Sequence, residues 1–429
     1  MPARVRLNPC QNPRPTALLL AALAVSLGLA PGCIAPPTSG GPSAEARPAD
    51  TAPTWASLQA RAIEQATRGA QSDNPRIRAN ALEALTPVPE VAAPLLASGA
   101  QDHKAVVRFA ALVTAGRARV QVVGPIAERL ATEDPDPSVR AAAIYAARKV
   151  GIAAPLREIP ALLADPRPGV RSNVASIVGL LGKKSAVAML DRMRRAPMPS
   201  ADLIEAVQTD LQFAGSIYRL SGSPGALEFI RSAVYLRDND PARVLAIQML
   251  GRLGDRAFES NLNNLMDPDN EPIQVRLAAA EALARLGDPG AGMHVVLEAG
   301  QYDAVAVRRD LKAYLDTPVI PADAAPAPPP GQDLTEADRA AIERLRLEQQ
   351  RAEAAEQRRR EADRSLLNDT ATHERLAAGV RAQAGSILGL FNHELTREVA
   401  DRLLSDNDPR VRLAASAGVL LYGDPATAR

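Results

Sequence analysis

Aromatic side chains make up only 3% of the 429 residues, and there are two cysteines, four histidines and one tryptophan. Two cysteines exclude a disulfide framework in a chain of this length, and so few histidines leave almost nothing for a soft-metal site. Neither sign of charge dominates. Fifty basic residues against 49 acidic ones give a formal net charge of +1, whereas nucleic-acid binders carry a basic excess. Present in quantity are apolar residues, at 46%, with 36 prolines and 27 glycines. That is enough to build a large folded body. At roughly 150 residues per domain the length suggests about three domains, an arithmetic that repeat proteins escape because they lengthen without enlarging a core.

The N-terminus reads as an address. Arg4, Arg6 and Arg14 stand in a segment without acidic residues, and the apolar run TALLLAALAVSLGLA follows from Thr16 to Ala30. This is the layout of a secretory signal peptide over residues 1–32. Fifteen residues at about 1.5 Å of helical rise span about 22 Å, short of the roughly 30 Å hydrocarbon core of a bilayer. Leu29-Ala30-Pro31-Gly32-Cys33 resembles a bacterial lipobox, in which the thiol is acylated and the bond before it is cut. The resemblance implies Cys33 as lipidated first mature residue, and Ile34 beside it implies outer-membrane sorting. The alternative is ordinary signal-peptidase cleavage at the same bond, which leaves a soluble periplasmic protein. Residues 33–54, rich in proline, glycine and small polar residues, form a flexible tether because they cannot bury enough surface to offset chain entropy.

The middle of the chain repeats itself. DPDPSVRAAAIYAARKVG, DPRPGVRSNVASIVGLLG, EPIQVRLAAAEALARLG and DNDPRVRLAASAGVLLYG begin at Asp134, Asp165, Glu271 and Asp406, and each sets an arginine eleven residues before a glycine. Three, seven and ten residues beyond the arginine stand Ala143, Ala147 and Val150 in the first copy and Val174, Val178 and Leu181 in the second. Those steps make one stripe of an amphipathic helix. Asp or Asn beside proline suits the helix start and glycine its end, and a second apolar stretch precedes each turn, so the unit is helix, tight turn, helix.

The Asp-Pro-x-Val-Arg turn, the Ala/Val stripe and the terminal Leu-Gly resemble HEAT repeats, particularly the short subtype of phycobilin lyases. The resemblance implies an all-α solenoid of helical hairpins, about eight of them over residues 55–317. Their arginines are Arg78, Arg108, Arg140, Arg171, Arg243, Arg276 and Arg308, spaced by 30, 32, 31, 72, 33 and 32 residues, with Arg412 apart. The gap of 72 holds a degenerate copy, about 202–222, without the arginine. From the family comes a further expectation, an internal ladder in which repeat arginines meet the acids Asp136, Asp165 and Asp408.

Residues 318–333 are a Pro/Ala linker, 334–370 a charged helix, and 371–429 further helices with a final HEAT-like repeat. That repeat either stacks on the array or stands apart. Catalytic signatures are lacking. Gly179 to Ser185 has the wrong spacing for a phosphate loop, and no Gly-x-Ser-x-Gly occurs. His373-Glu374 and His393-Glu394 resemble the di-iron ligands of deoxyhypusine hydroxylase, but that family uses four such pairs. No cofactor, metal site or catalytic residue is expected. The expected function is a non-enzymatic, lipid-anchored scaffold of the cell envelope that binds another protein and no nucleic acid. Alternatives are a spacer between envelope layers and a lyase-like accessory protein.

Overall fold

The computed structural model describes residues 53–196, 203–236, 239–316, 361, 363–391 and 393–421. The signal peptide, Cys33, nearly all of the tether, the Pro/Ala linker and most of the charged helix lie outside the described residues. Among the described residues the chain is helical throughout, with no strand.

Helices pair in chain order. The first of each pair are α1 (Trp55–Gly69), α3 (Pro89–Gly99), α5 (Gly124–Glu133), α7 (Ile159–Leu163), α9 (Val187–Arg194), α11 (Pro224–Ala233), α13 (Glu259–Asn264) and α15 (Pro289–Ala299). The second are α2 (Pro75–Ala84), α4 (Ala105–Ala118), α6 (Pro137–Lys149), α8 (Pro168–Leu181), α10 (Leu203–Ser221), α12 (Asp240–Leu253) and α14 (Ile273–Leu286), while α15 is followed in the chain by α16 (Ala304–Asp316). There follow α17 (Thr370–Ile387) and a last hairpin of α18 (Glu394–Leu403) and α19 (Pro409–Leu421). The degenerate copy is α10. It lacks the arginine but keeps the apolar stripe, with Leu211, Phe213, Ala214 and Ile217 buried.

Local chemistry sets the boundaries. Asn74, Asp136 and Asn239 accept hydrogen bonds from first-turn amides, and a proline occupies the first turn beside each. Gly182, Gly254 and Gly287 end α8, α12 and α14 with positive φ, where a Cβ would be strained. The second helices bury their stripes almost fully: Ala143, Ala147, Val174, Ala279 and Ala415 are all 0% exposed. Small side chains let these helices approach closely. A methyl group on Gly251 of α12 would stand 2.6 Å from the Cα of Ala282 in α14.

The chain divides into two compact units. Among the described residues, one holds those from 303 to 377, and the other holds those from 53 to 302 together with those from 378 to 421. The C-terminal repeat belongs to the larger unit. Within the larger unit the second helices touch in sequence from α2 through α14, and α19 packs on both α1 and α2. The gap between α14 and α19 is filled by the end of α17, whose Gln383 donates to the Gln274 carbonyl (3.0 Å). Here Gly418 of α19 lies directly against the Gly385 carbonyl of α17. The helices of this unit therefore form a closed circuit. At the joint, Arg61 of α1 pairs with Asp401 of α18 and donates to the Ser405 hydroxyl (2.9 Å), while Gln65 donates to the Leu404 carbonyl (2.9 Å). The last repeat thus stacks on the first one.

A methyl group at Gly418 would collide with the Gly385 carbonyl, so Gly418→Ala forces the closing seam apart. We expect a loss of about 1–3 kcal/mol in urea unfolding. Amide exchange should show α1 and α19 losing protection together, because each is covered by the other.

Candidate functional site

Two features combine chemistry with geometry, a ladder of arginines between repeats and a cavity enclosed by the second helices.

In the ladder Arg78 and Arg108 each reach in two directions. Arg78 donates to the Ser72 carbonyl of its own turn (2.7 Å) and to both carboxylate oxygens of Asp102 in the next one (2.9 and 3.0 Å). Arg108 repeats this with the Asp102 carbonyl (2.9 Å) and the Asp134 carboxylate (2.7 and 2.9 Å). Arg140 donates to the Asp134 carbonyl (2.9 Å), and Arg412 to that of Asp406 (2.7 Å). The aspartates also receive the amide two residues on: Lys104 on Asp102, Asp136 on Asp134 and Asp408 on Asp406. Fixed geometry on both sides is why these pairs recur. For Asp102, burial pushes the carboxyl up, but the Arg78 guanidinium and the Lys104 amide outweigh it and hold it below the ordinary range.

The acids of the ladder stand two residues before those expected at two turns. Asp136 caps α6 through the Ser138 and Val139 amides, and Asp408 takes the Arg410 amide and side chain; Asp134 and Asp406 carry the rungs. Asp165 binds the amide and guanidinium of Arg167 in its own turn, with Arg140 near enough to lower its pKa. Further along, acceptors vary. Arg171 donates to the carbonyls of Met193 and Ala196, Arg243 to Glu271 (2.6 Å), Asp240 and the Val234 carbonyl, and Arg276 to Glu298 (2.7 Å) and the Met266 carbonyl. Arg231 of α11, which the repeat spacing did not single out, makes a further bidentate pair with Asp255 (2.8 and 2.7 Å).

The eighth rung corrects the sequence reading. Arg308 is exposed. Arg381 of α17 instead donates to the Tyr302 carbonyl (2.8 Å), which lies six residues before Arg308, and to the Asp406 carboxylate (2.7 Å). Residues 303–377 therefore interrupt a repeat whose second helix is resumed by α17. The prediction is sharp. Arg381→Ala should cost about 3 kcal/mol or more, because it strips a buried carboxylate of its partner, whereas Arg308→Ala should stay within about 0.5 kcal/mol by urea unfolding.

The cavity measures about 460 Å³, within the range of small-ligand sites. Its walls come from α2, α4, α8, α10, α12 and α14. Phe109, Val113, Ile177, Leu245 and Met249 supply apolar surface, and Ser172, Asn173, Ser176 and Gln212 supply hydroxyls and amides. Arg117, Arg219, Arg252 and Arg285 stand near the C-terminal ends of four of these helices and converge on it. Arg285 and Arg252 share Glu281, at 2.9 and 3.6 Å. Burial in particular, and then the charges of Arg117 and Arg252, push the Arg219 guanidinium below its ordinary range. Sequence reasoning missed this site, since the arginines lie on helices far apart in the chain. The signal on offer was an arginine two residues before the terminal glycine in α12 and α14.

Glu83 of α2 lines the same space. Burial raises its carboxyl to about 7, with Arg117 pulling the other way. Its folded pKa thus lies above its unfolded one, so the stability it contributes is present below the unfolded value and is lost as pH rises through about 7. Glu83→Gln should accordingly raise Tm at about pH 8 and leave it unchanged at about pH 3, where the wild-type carboxyl is neutral in both states.

Among the described residues no group of three or more His, Cys, Asp or Glu could hold a metal ion. His393 caps α18, its Nδ1 accepting from the Leu395 amide (3.1 Å), and His373 is buried. No described helix is long and apolar enough to cross a membrane.

The fold is an α-solenoid of HEAT-type helical hairpins. A family model described as HEAT repeats matches residues 123–208. A chain from the complex of CpcE and CpcF of phycocyanin lyase from Nostoc sp. PCC7120 is similar at 19% identity, covering 59% of this chain and 97% of its own, with a TM-score of 0.37. An engineered protein is similar at 14% identity over 84% of this chain and 98% of its own, with a TM-score of 0.23. At those scores the assignment rests on the hairpins, their ladder and the family match. No curated protein matches the sequence.

Proposed function

We propose that the protein is a non-enzymatic binding scaffold of the bacterial cell envelope, lipid-anchored through Cys33 and facing the periplasm, with another protein as its partner. The observation that carries this reading is the array itself, a rigid series of HEAT-type hairpins locked by arginine rungs, in a chain that begins with an export-type segment and a lipobox-like Cys33. Removing residues 1–32 takes away three arginines and no acid, so the mature chain falls to a net charge of about −2 and keeps a single thiol at its first position.

Closure of the circuit alters where such a partner would sit. Open solenoids bind along a concave face, but here the second helices turn that face into a cavity too small for a protein. Partner contacts then fall on the turns and first helices. Tyr235 and Leu236, 54% and 39% exposed at the turn after α11, present the kind of apolar contact that anchors an interface.

Two measurements test the reading. Labelled palmitate should enter the wild-type protein and not Cys33→Ala; equal labelling, or none, removes the anchor. Cross-linking in cells should recover one reproducible protein partner that is lost in Tyr235→Ala. Recovery of cell-wall material alone would replace the scaffold with a spacer.

A further inference from the structure

We propose that the cavity of the closed circuit is a binding site for a small organic anion, with its carboxylate or phosphate held by Arg117 and Arg219 and its apolar body against Phe109, Ile177, Leu245 and Met249. This inference is independent of the partner and of the anchor.

The first argument is convergence. Arg117 belongs to α4, Arg219 to α10, Arg252 to α12 and Arg285 to α14, and all four line one space. Solvated arginines at helix C-termini are ordinary, since the helix dipole favours them there. Three of them stand nine residues after a repeat arginine, Arg117 after Arg108, Arg252 after Arg243 and Arg285 after Arg276, so the repeat brings them to one face, where Arg219 joins them. Burial raises the Tyr145 hydroxyl, and Arg117, Arg119 and Arg219 stand near enough to oppose that rise in part.

The second argument is incomplete neutralisation. Glu281 serves Arg285 and Arg252. Arg117 and Arg219 make no ion pair or hydrogen bond among the described residues, and the one other carboxyl in the lining, Glu83, is raised by burial to about 7 and so is only partly ionised at neutral pH. Both guanidiniums are exposed at the rim of the pocket, and neither holds a carboxylate that an incoming anion would have to displace.

The third argument is a broken local rule. Five glycines, at 151, 182, 222, 254 and 287, adopt positive φ, and Arg119 at the end of α4 adopts φ 53° without being glycine. A non-glycine residue is disfavoured there, so this turn keeps a strained backbone and sets a further arginine two residues from Arg117. The rest of the lining suits an amphipathic guest. Its volume admits a ligand of drug-like size, and Ser176 and Gln212, already hydrogen-bonded to each other (2.8 Å), offer orienting groups on the wall between α8 and α10.

The test is calorimetric titration of the purified full-length protein with 1-naphthyl phosphate and 1-naphthoate, against neutral 1-naphthol. Both anions should bind saturably at one site, with naphthol weaker by about tenfold or more. The tighter of the two identifies the headgroup, phosphate or carboxylate. Arg117→Ala and Arg219→Ala should each weaken the anions by about tenfold or more, while Arg219→Lys retains part of the affinity and Arg68→Ala, on the exposed face of α1, retains all of it. Arg219→Ala should melt no lower than the wild type, since it relieves repulsion, so lost binding cannot be ascribed to unfolding. Equal affinity for naphthol and the anions, no saturable binding, or unchanged binding by Arg219→Ala would overturn the proposal.

Discussion

The fold hangs on a two-way arginine. At the turns of Arg78 and Arg108 one guanidinium fixes the carbonyl six residues behind it and the carboxylate of the next repeat's turn, as Arg78 does with Ser72 and Asp102. The receiving aspartate also holds the amide two residues on, which orients the start of the following helix. One buried ion pair therefore sets the hand-over from repeat to repeat, both its distance and its angle. A hydrophobic stripe of alanines alone would leave neighbouring hairpins free to slide, because methyl groups of equal size offer little register. The charged rung supplies that register, a use in which buried polar pairs are best attested.

Much of this was legible in the sequence because it is local. The Asp-Pro turn, the arginine and the glycine lie within one hairpin, and their recurrence at about 32 residues identified the second helices, including the arginine-less α10. The acids were misread by two positions at two turns because Asp134 and Asp136, like Asp406 and Asp408, are both aspartates in one turn. Only geometry separates the cap from the rung. Arg308 was misread for a different reason. It has the right spacing from Arg276, yet its place is taken by Arg381, and no periodicity can disclose a helix that rejoins the array after an interruption of the length of residues 303–377.

Closure was equally hidden. It depends on pairs such as Arg61 with Asp401, which sit at opposite ends of the described chain, and on Gly385 meeting Gly418. Glycine at these positions reads as a weak helix residue until the neighbouring backbone is seen. Closure changes function as well as shape within this unit. The surface that an open array would offer to another protein becomes the wall of a cavity, and its residues meet side chains from repeats far away in the chain.

The cavity is where local consistency gives way. Along most of the array the chain obeys its own rules: acids neutralise Arg78, Arg108, Arg243 and Arg276, and glycines take the left-handed caps. Around α4 and α10 three exceptions coincide, namely an arginine in a glycine conformation, a glutamate raised to about 7 and guanidiniums without a counter-ion. Each alone is a small loss that a stable array absorbs. Their meeting in one space, lined by the repeat that departs furthest from the consensus, follows the pattern of a site whose demands override those of the fold. The ladder accounts for why the protein stands up, and the exceptions to it mark the place where it has something to hold.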